Sequence, residues 1–125
     1  MDLPADFQAA LANYLIVSQV IIDNYWRRMK FTYAMSPVVE ALPLKGRYIK
    51  IHRYDRNLDG SRGPSESIHA FIDTKGAPVM GVMGKIGDVY KPAGRNAPAK
   101  HARGNIFSVE FGTENATEHG PAYLK

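Results

Sequence analysis

The segment from residue 4 to residue 30 constrains this chain most. Within it, YLIVSQVII (residues 14–22) is apolar nearly all round for about two and a half helical turns. Asp2 suits a capping position and Pro4 a first helical turn. Phe7, Leu11, Tyr14, Leu15, Ser18, Ile22, Tyr25 and Met29 recur on one stripe at helical spacing. Ile16, Val17, Val20 and Ile21 fall off that stripe. An amphipathic helix in a small protein needs only one apolar face. The surplus face is therefore expected to meet a symmetric copy of the chain, unless residues 31–44 fold back over it. The apolar run is far shorter than the about 20 residues a membrane span requires. Asp2 and Asp6 stand where a leader peptide carries positive charge. A soluble, cytoplasmic protein with no membrane partner is expected.

With 125 residues the chain is read as one domain, 1–125. Residues 1–44 form its helical, oligomerising part, 45–112 the sheet and basic ligand-binding part, and 113–125 a polar, irregular tail. The net charge of +4 hides an uneven distribution. Residues 1–44 carry net −1, residues 45–103 carry twelve basic and five acidic groups for net +7, and residues 104–125 carry net −2. Confinement of the positive charge to the middle points to a local anion site rather than a generally adhesive surface. The absence of cysteine removes disulfides, thiolate metal sites and a thiol nucleophile.

Along the chain, residues 31–44 contain two prolines with room for a short helix between them. RYIKIHRY (residues 47–54) alternates as a strand, with Tyr48, Lys50, His52 and Tyr54 on one face and Ile49 and Ile51 on the other. DRNLDGSRGPSE (55–66) reads as a polar turn, SIHAFID (67–73) as a second strand and DVYK (88–91) as a third. The Gly/Met-rich stretch around 77–85 fits a strand between turns or a flap. Asn96 as cap, Pro98 in the first turn and Gly104 past the end predict a two-turn helix over residues 97–103. IFSVEFG (106–112) alternates as a last strand. The expected fold is α+β: a long N-terminal helix packed on a small antiparallel sheet, with a short helix after the third strand.

The N-terminus of that short helix, preceded by Lys91 and Arg95, would be a phosphate cradle, though without the GxxxxGK[ST] pattern of a Walker loop. Arg47, Arg53, Lys91, Arg95, Lys100 and Arg103 are read as anion ligands, since a guanidinium fork suits phosphate oxygens. Lys45, Lys50, Lys75 and Lys85 are read as solubilising charges on strand edges. The four histidines are dispersed, without metal-ligand spacing, and no serine sits in a nucleophile motif. No enzyme, metal or cofactor is expected. Phe71 falls on the less apolar face of its strand, where an aromatic beside arginines can hold a base.

The block GDVYKPAGRNAPAKHARGNIF, preceded by SIHAFID and RYIKIHRY, resembles a family of small phage proteins, the Thoeris anti-defence sponges, over roughly residues 47–107. In that family a strand carrying IYK leads into an APAKHxRGN turn and short helix. The resemblance implies a non-enzymatic protein, in the cytoplasm of an infected bacterial host. It would sequester a cyclic ADP-ribose isomer made by a TIR-domain immune enzyme, and cyclic oligonucleotides in separate pockets. It also implies a dimer or a hexamer built as a trimer of dimers. Carried over by residue, Arg103 and Lys91 would hold phosphates with Lys100 in support. Phe71 would stack the adenine, and Asn105 would hydrogen-bond ribose or base. Arg27 and Arg28 would reach a pocket at a subunit interface. The sequence departs from the pattern in the Gly/Met insertion and in Gly94-Arg95, where the family has a small residue followed by tryptophan. The first alters the pocket rim; the second replaces a stacking group by a charge. A basic nucleic-acid-binding phage protein is the competing expectation, and a small virion or assembly protein a third.

Overall fold

The computed structural model describes residues 3–76, 78–79, 82–83, 85–113, 116–117 and 120–121. Among these residues one helix, α1 (Ala5–Met29), precedes nine strands: β1 (Met35–Ala41), β2 (Tyr48–Arg56), β3 (Arg62–Asp73), β4 (Pro78–Val79), β5 (Val82–Met83), β6 (Asp88–Pro92), β7 (Pro98–Asn105), β8 (Ala116–Thr117) and β9 (Gly120–Pro121). Five strands form an antiparallel sheet in the order β1-β2-β3-β6-β7, and β4–β5 and β8–β9 are separate two-stranded hairpins. The α+β class and the packing of a long N-terminal helix on an antiparallel sheet agree with the sequence reading.

The spacing of apolar residues on α1 accounts for its seat. Phe7, Ala10, Tyr14, Ser18 and Ile22 are its buried residues. They meet Val39, Ile49, Ile51, Ala70, Ile72, Val89 and Ile106 from the sheet and the turn after β7. Each large side chain so buried contributes roughly 1.5–3 kcal/mol. Burial pushes the Tyr14 hydroxyl well above the usual tyrosine range, so it stays neutral. Gln19 ties the helix to the edge strand: its Oε1 accepts the Val39 N–H at 3.0 Å and its Nε2 donates to the Pro37 carbonyl at 2.8 Å. The helix ends at Lys30, in a left-handed conformation with φ 55°, whose N–H bonds the Arg27 carbonyl. The Asp2 cap falls outside the described residues; Pro4 holds the capping position without a side-chain bond.

Several expectations are corrected. Residues 31–44 hold strand β1 rather than a short helix; Pro37 sits where the register shifts, the place a strand tolerates proline. The polar turn shrinks to residues 57–61, because β3 begins at Arg62. The helix over 97–103 does not form. That stretch is β7, paired with β6 through Asp88↔Asn105, Val89↔Gly104, Tyr90↔Ala102 and Pro92↔Pro98. A two-turn helix is marginal by itself, whereas a strand here satisfies the open edge of β6. The helix N-terminus proposed as a phosphate cradle disappears with it. Residues 106–112 are consecutive turns, not a strand. Asn105 lifts the chain off the sheet: its Oδ1 accepts the Phe107 N–H, and its Nδ2 donates to the Ile86 carbonyl and Asp88. Phe107 then packs edge-on against Phe7 at 5.8 Å, and Val109 is left 94% exposed. The Gly/Met-rich stretch contributes β4 and β5; its side chains from 77 to 84 lie outside those described. The tail is not wholly irregular, since β8 and β9 pair within it.

Candidate functional site

The sheet has a second face, away from α1, and strand alternation decides what stands on it. On β2 that face takes Tyr48, Lys50, His52 and Tyr54. A register shift between Ile51 and His52 brings Ile68 opposite His52, so Ile68 and Phe71 share this face although they stand three positions apart, an odd offset that regular alternation would put on opposite faces. Phe71, Tyr90, Tyr48 and Ile68 make a small separate cluster there. The Tyr48 ring stands edge-on to Phe71 at 6.0 Å and to Tyr90 at 6.1 Å. Burial, with Asp88 and Asp73 nearby, pushes the Tyr90 hydroxyl up to about 12. Burial also raises Tyr48, against the pull of Arg47. Both hydroxyls are neutral hydrogen-bonding groups at physiological pH.

Beside this cluster lies a cleft of about 640 Å³, within the range of small-ligand sites. Leu42, Pro43, Leu44 and Lys45 from the β1–β2 turn, Tyr48 and Lys50 from β2, and Asn96 from the β6–β7 turn line it. The Lys50 ammonium donates to Asn96 Oδ1 at 2.7 Å. Among the described residues neither Lys45 nor Lys50 has a carboxylate partner. Neighbouring arginines do. Arg47 forms a bidentate pair with the buried Asp73 carboxylate, Nε at 3.0 Å and NH2 at 2.7 Å. Arg62 and Arg95 both reach Glu66, at 2.7 and 3.1 Å. The cleft thus combines apolar lining, a tyrosine and two uncompensated ammonium groups.

The Arg95–Glu66 and Lys50–Asn96 contacts draw the tip of the β6–β7 hairpin across β3 toward β2. On the far side of that tip a smaller hollow of about 220 Å³ is lined by Glu66, Ser67, Ile68, Pro92, Gly94 and Arg95. Next to it the buried His52 ring lies between two carboxylates, Nδ1 3.6 Å from Glu40 and Nε2 3.4 Å from Glu66. Arg62, ahead of other charges, holds Glu66 below the usual carboxylate range. Among the described residues no group of three or more His, Asp or Glu side chains has the arrangement of a metal site.

The residues singled out in the sequence are dispersed by the fold. Arg27 and Arg28 end α1, exposed, with Arg27 bonded to Asn24 at 3.0 Å and Arg28 over the Tyr25 ring at 5.4 Å. Trp26 beside them bonds Ala34 at the start of β1, whereas the cleft begins past its end, at Leu42. The seven residues of β1 separate these points, a span of roughly 26 Å. Phe71 is 1% exposed and enclosed by its neighbours. Lys91 alternates with Tyr90 onto the α1 side and donates to the Pro121 carbonyl at 3.1 Å. Arg103, where the β6–β7 register shifts, is buried and donates to the His101 carbonyl at 2.7 Å. Asn105 serves the turn described above. Lys100 is in β7 by its backbone, and its side chain lies outside those described. Of these residues, Phe71 belongs to the aromatic cluster beside the cleft, and Arg47 borders it with its guanidinium 5.1 Å from the Tyr48 ring.

Sequence reasoning passed over Lys45 and Lys50 as solubilising charges. The alternation of β2 had put Lys50 beside Tyr48, which was the available signal. The approach of Asn96 depends on β7 being a strand and left no local trace. No curated protein and no solved structure matches the chain. A family match covers residues 42–120, which takes in every residue lining the cleft and leaves α1 and β1 outside. The chain belongs to that family, DUF7717, a family of unknown function.

Proposed function

We propose that this protein binds a cyclic nucleotide signal in the Lys45–Lys50 cleft and sequesters it without cleaving it. The observation that carries this reading is the pair of lysines that have no carboxylate partner among the described residues, at an apolar cleft beside Tyr48. Ammonium groups so placed favour phosphate oxygens. Leu42, Pro43, Leu44 and the Tyr48 ring offer apolar surface to a base or sugar. The resemblance of residues 47–107 to phage anti-defence sponges supplies the ligand class, a cyclic ADP-ribose isomer, and the setting, the cytoplasm of an infected bacterium. The mechanism is mass action: a pre-formed site lowers free signal below what its receptor needs, and pre-organisation saves ordering entropy for a ligand with few contacts.

The test is calorimetry against cyclic ADP-ribose isomers and cyclic oligonucleotides, followed by heat release and mass spectrometry. An intact nucleotide is expected. Lys45→Ala and Lys50→Ala should each weaken binding about tenfold or more, since charged hydrogen bonds contribute about 1.5–3 kcal/mol. Lys75→Ala, exposed and away from the cleft, should leave affinity unchanged. Wild-type affinity in both cleft variants, or recovery of a cleaved nucleotide, would overturn the proposal.

A further inference from the structure

The face of α1 opposite its buried stripe carries Ala5, Ala9, Ala12, Ile16 and Val20, all exposed, with Ile16 at 61% and Val20 at 49%. No charged residue occurs from Phe7 through Ile22. A solvated helix face normally carries charges along its length, so sixteen uncharged residues mark a covered surface. The exposed charges of the helix stand at its ends. Asp6 lies in the first turn, Arg27 and Arg28 in the last, and Lys30 follows. Asp23 is turned inward and accepts from Gln19 and Ser36.

We propose that α1 pairs antiparallel with α1 of a second copy of this chain. Charge decides both the partner and the direction. Asp6 and Arg27 are 21 residues apart, about 31 Å along the axis. An antiparallel pair about a two-fold axis at Ile16 brings residue 12 opposite residue 20 and residue 5 opposite residue 27. Asp6 of one copy then falls within a turn of Arg27 and Arg28 of the other, at both ends of the pair. A parallel pair would set Asp6 against Asp6 and the arginines against each other. Antiparallel helix dipoles also attract. Along the seam Ala12 faces Val20, a small residue against a larger one, which lets the axes approach. By length and composition alone α1 could cross a membrane, but its other face is packed on the sheet. An interfacial helix carries Lys and Arg along its flanks, and α1 has no basic residue before Arg27. The pairing is independent of what the cleft holds.

Because the chain has no cysteine, introduced cysteines report the geometry directly. Sedimentation of the wild type across about 1–200 µM should give twice the chain mass of 13.9 kDa or a multiple of it. Ile16→Glu sets two glutamates on the axis and should yield a folded monomer whose unfolding midpoint lies below that of the wild type, by the stability that association confers, and no longer varies with protein concentration. Under oxidation Val20→Cys alone should not cross-link, whereas an equimolar mixture of Ala12→Cys and Val20→Cys chains should. Self-linking of Val20→Cys would show parallel helices and overturn the proposed arrangement. A monomeric wild type at 200 µM, or an oligomer that survives Ile16→Glu, would overturn the interface. Co-sedimentation of such a monomer with phosphatidylcholine–phosphatidylglycerol vesicles would give the face to a membrane.

Discussion

Removing the Arg47 guanidinium leaves the Asp73 carboxylate buried with, among the described residues, the Lys75 and Gly76 N–H groups as its remaining donors. A buried charge stripped of its partner is among the few single changes that cost several kcal/mol. Arg47 is itself partly exposed, so water can follow the deletion, and Arg47→Met should cost about 2–4 kcal/mol by urea unfolding at pH 7. Burial raises the Asp73 carboxyl, but Arg47 and the two backbone donors outweigh it and hold the pKa below the ordinary aspartate value. A depressed folded pKa gives stability that is present above the unfolded pKa of about 3.9 and is lost as pH falls through the folded value. Wild type should therefore lose more stability than Arg47→Met between pH 7 and pH 3, and the gap between them should narrow. An equal gap at both pH values would mean that Asp73 contributes no charge-linked stability.

At the scale of elements, the small C-terminal hairpin depends on one close approach. At Gly120, φ is +101°, and an added Cβ would sit 2.5 Å from the His69 carbonyl oxygen on β3. Gly120→Ala combines backbone strain with a clash against backbone, and a loss of about 2–3 kcal/mol is expected, with faster amide exchange in β8 and β9. Unchanged exchange there would mean the hairpin docks without that contact. The same scale shows what a sequence can and cannot disclose. α1 was legible because its apolar spacing persists for seven turns, and β2 because it alternates over a buried face. Residues 97–103 were not. Asn96, Pro98 and Gly104 are sound helix punctuation, yet they act locally, while the open edge of β6 offers a whole ladder of hydrogen bonds. Residues 106–112 misled in the opposite sense, because alternation cannot register that Asn105 folds the chain away from the sheet. The candidate site suffered from the same loss. Lys50 and Tyr48 could be placed on one face, but the partner that completes the cleft, Asn96, comes from a turn 46 residues on from Lys50, held there by the β3–β6 and β6–β7 pairings.

For the whole molecule, the positive segment is less available than its net +7 suggests. Arg47 is committed to Asp73, and Arg62 and Arg95 to Glu66. What remains at the cleft is local, which separates two kinds of partner by their response to salt. A protein that neutralises six duplex phosphates releases the counterions condensed on them, and its affinity falls about 10³-fold between 50 and 200 mM salt. A compact ligand with two phosphates carries no such atmosphere, and exposed charges are only partly screened at contact distance. Binding of a cyclic nucleotide to the cleft should therefore weaken by no more than about tenfold over the same range. Fluorescence titrations of one labelled cyclic dinucleotide and one labelled 20-mer, each across that salt range, read the two slopes on the same protein. A shallow slope for the nucleotide, with affinity weakened about tenfold or more by Lys50→Ala, agrees with a cleft that captures small anions. A steep slope for the 20-mer, tighter binding of it at 50 mM, and indifference to Lys50→Ala would transfer the basic segment to a nucleic-acid backbone.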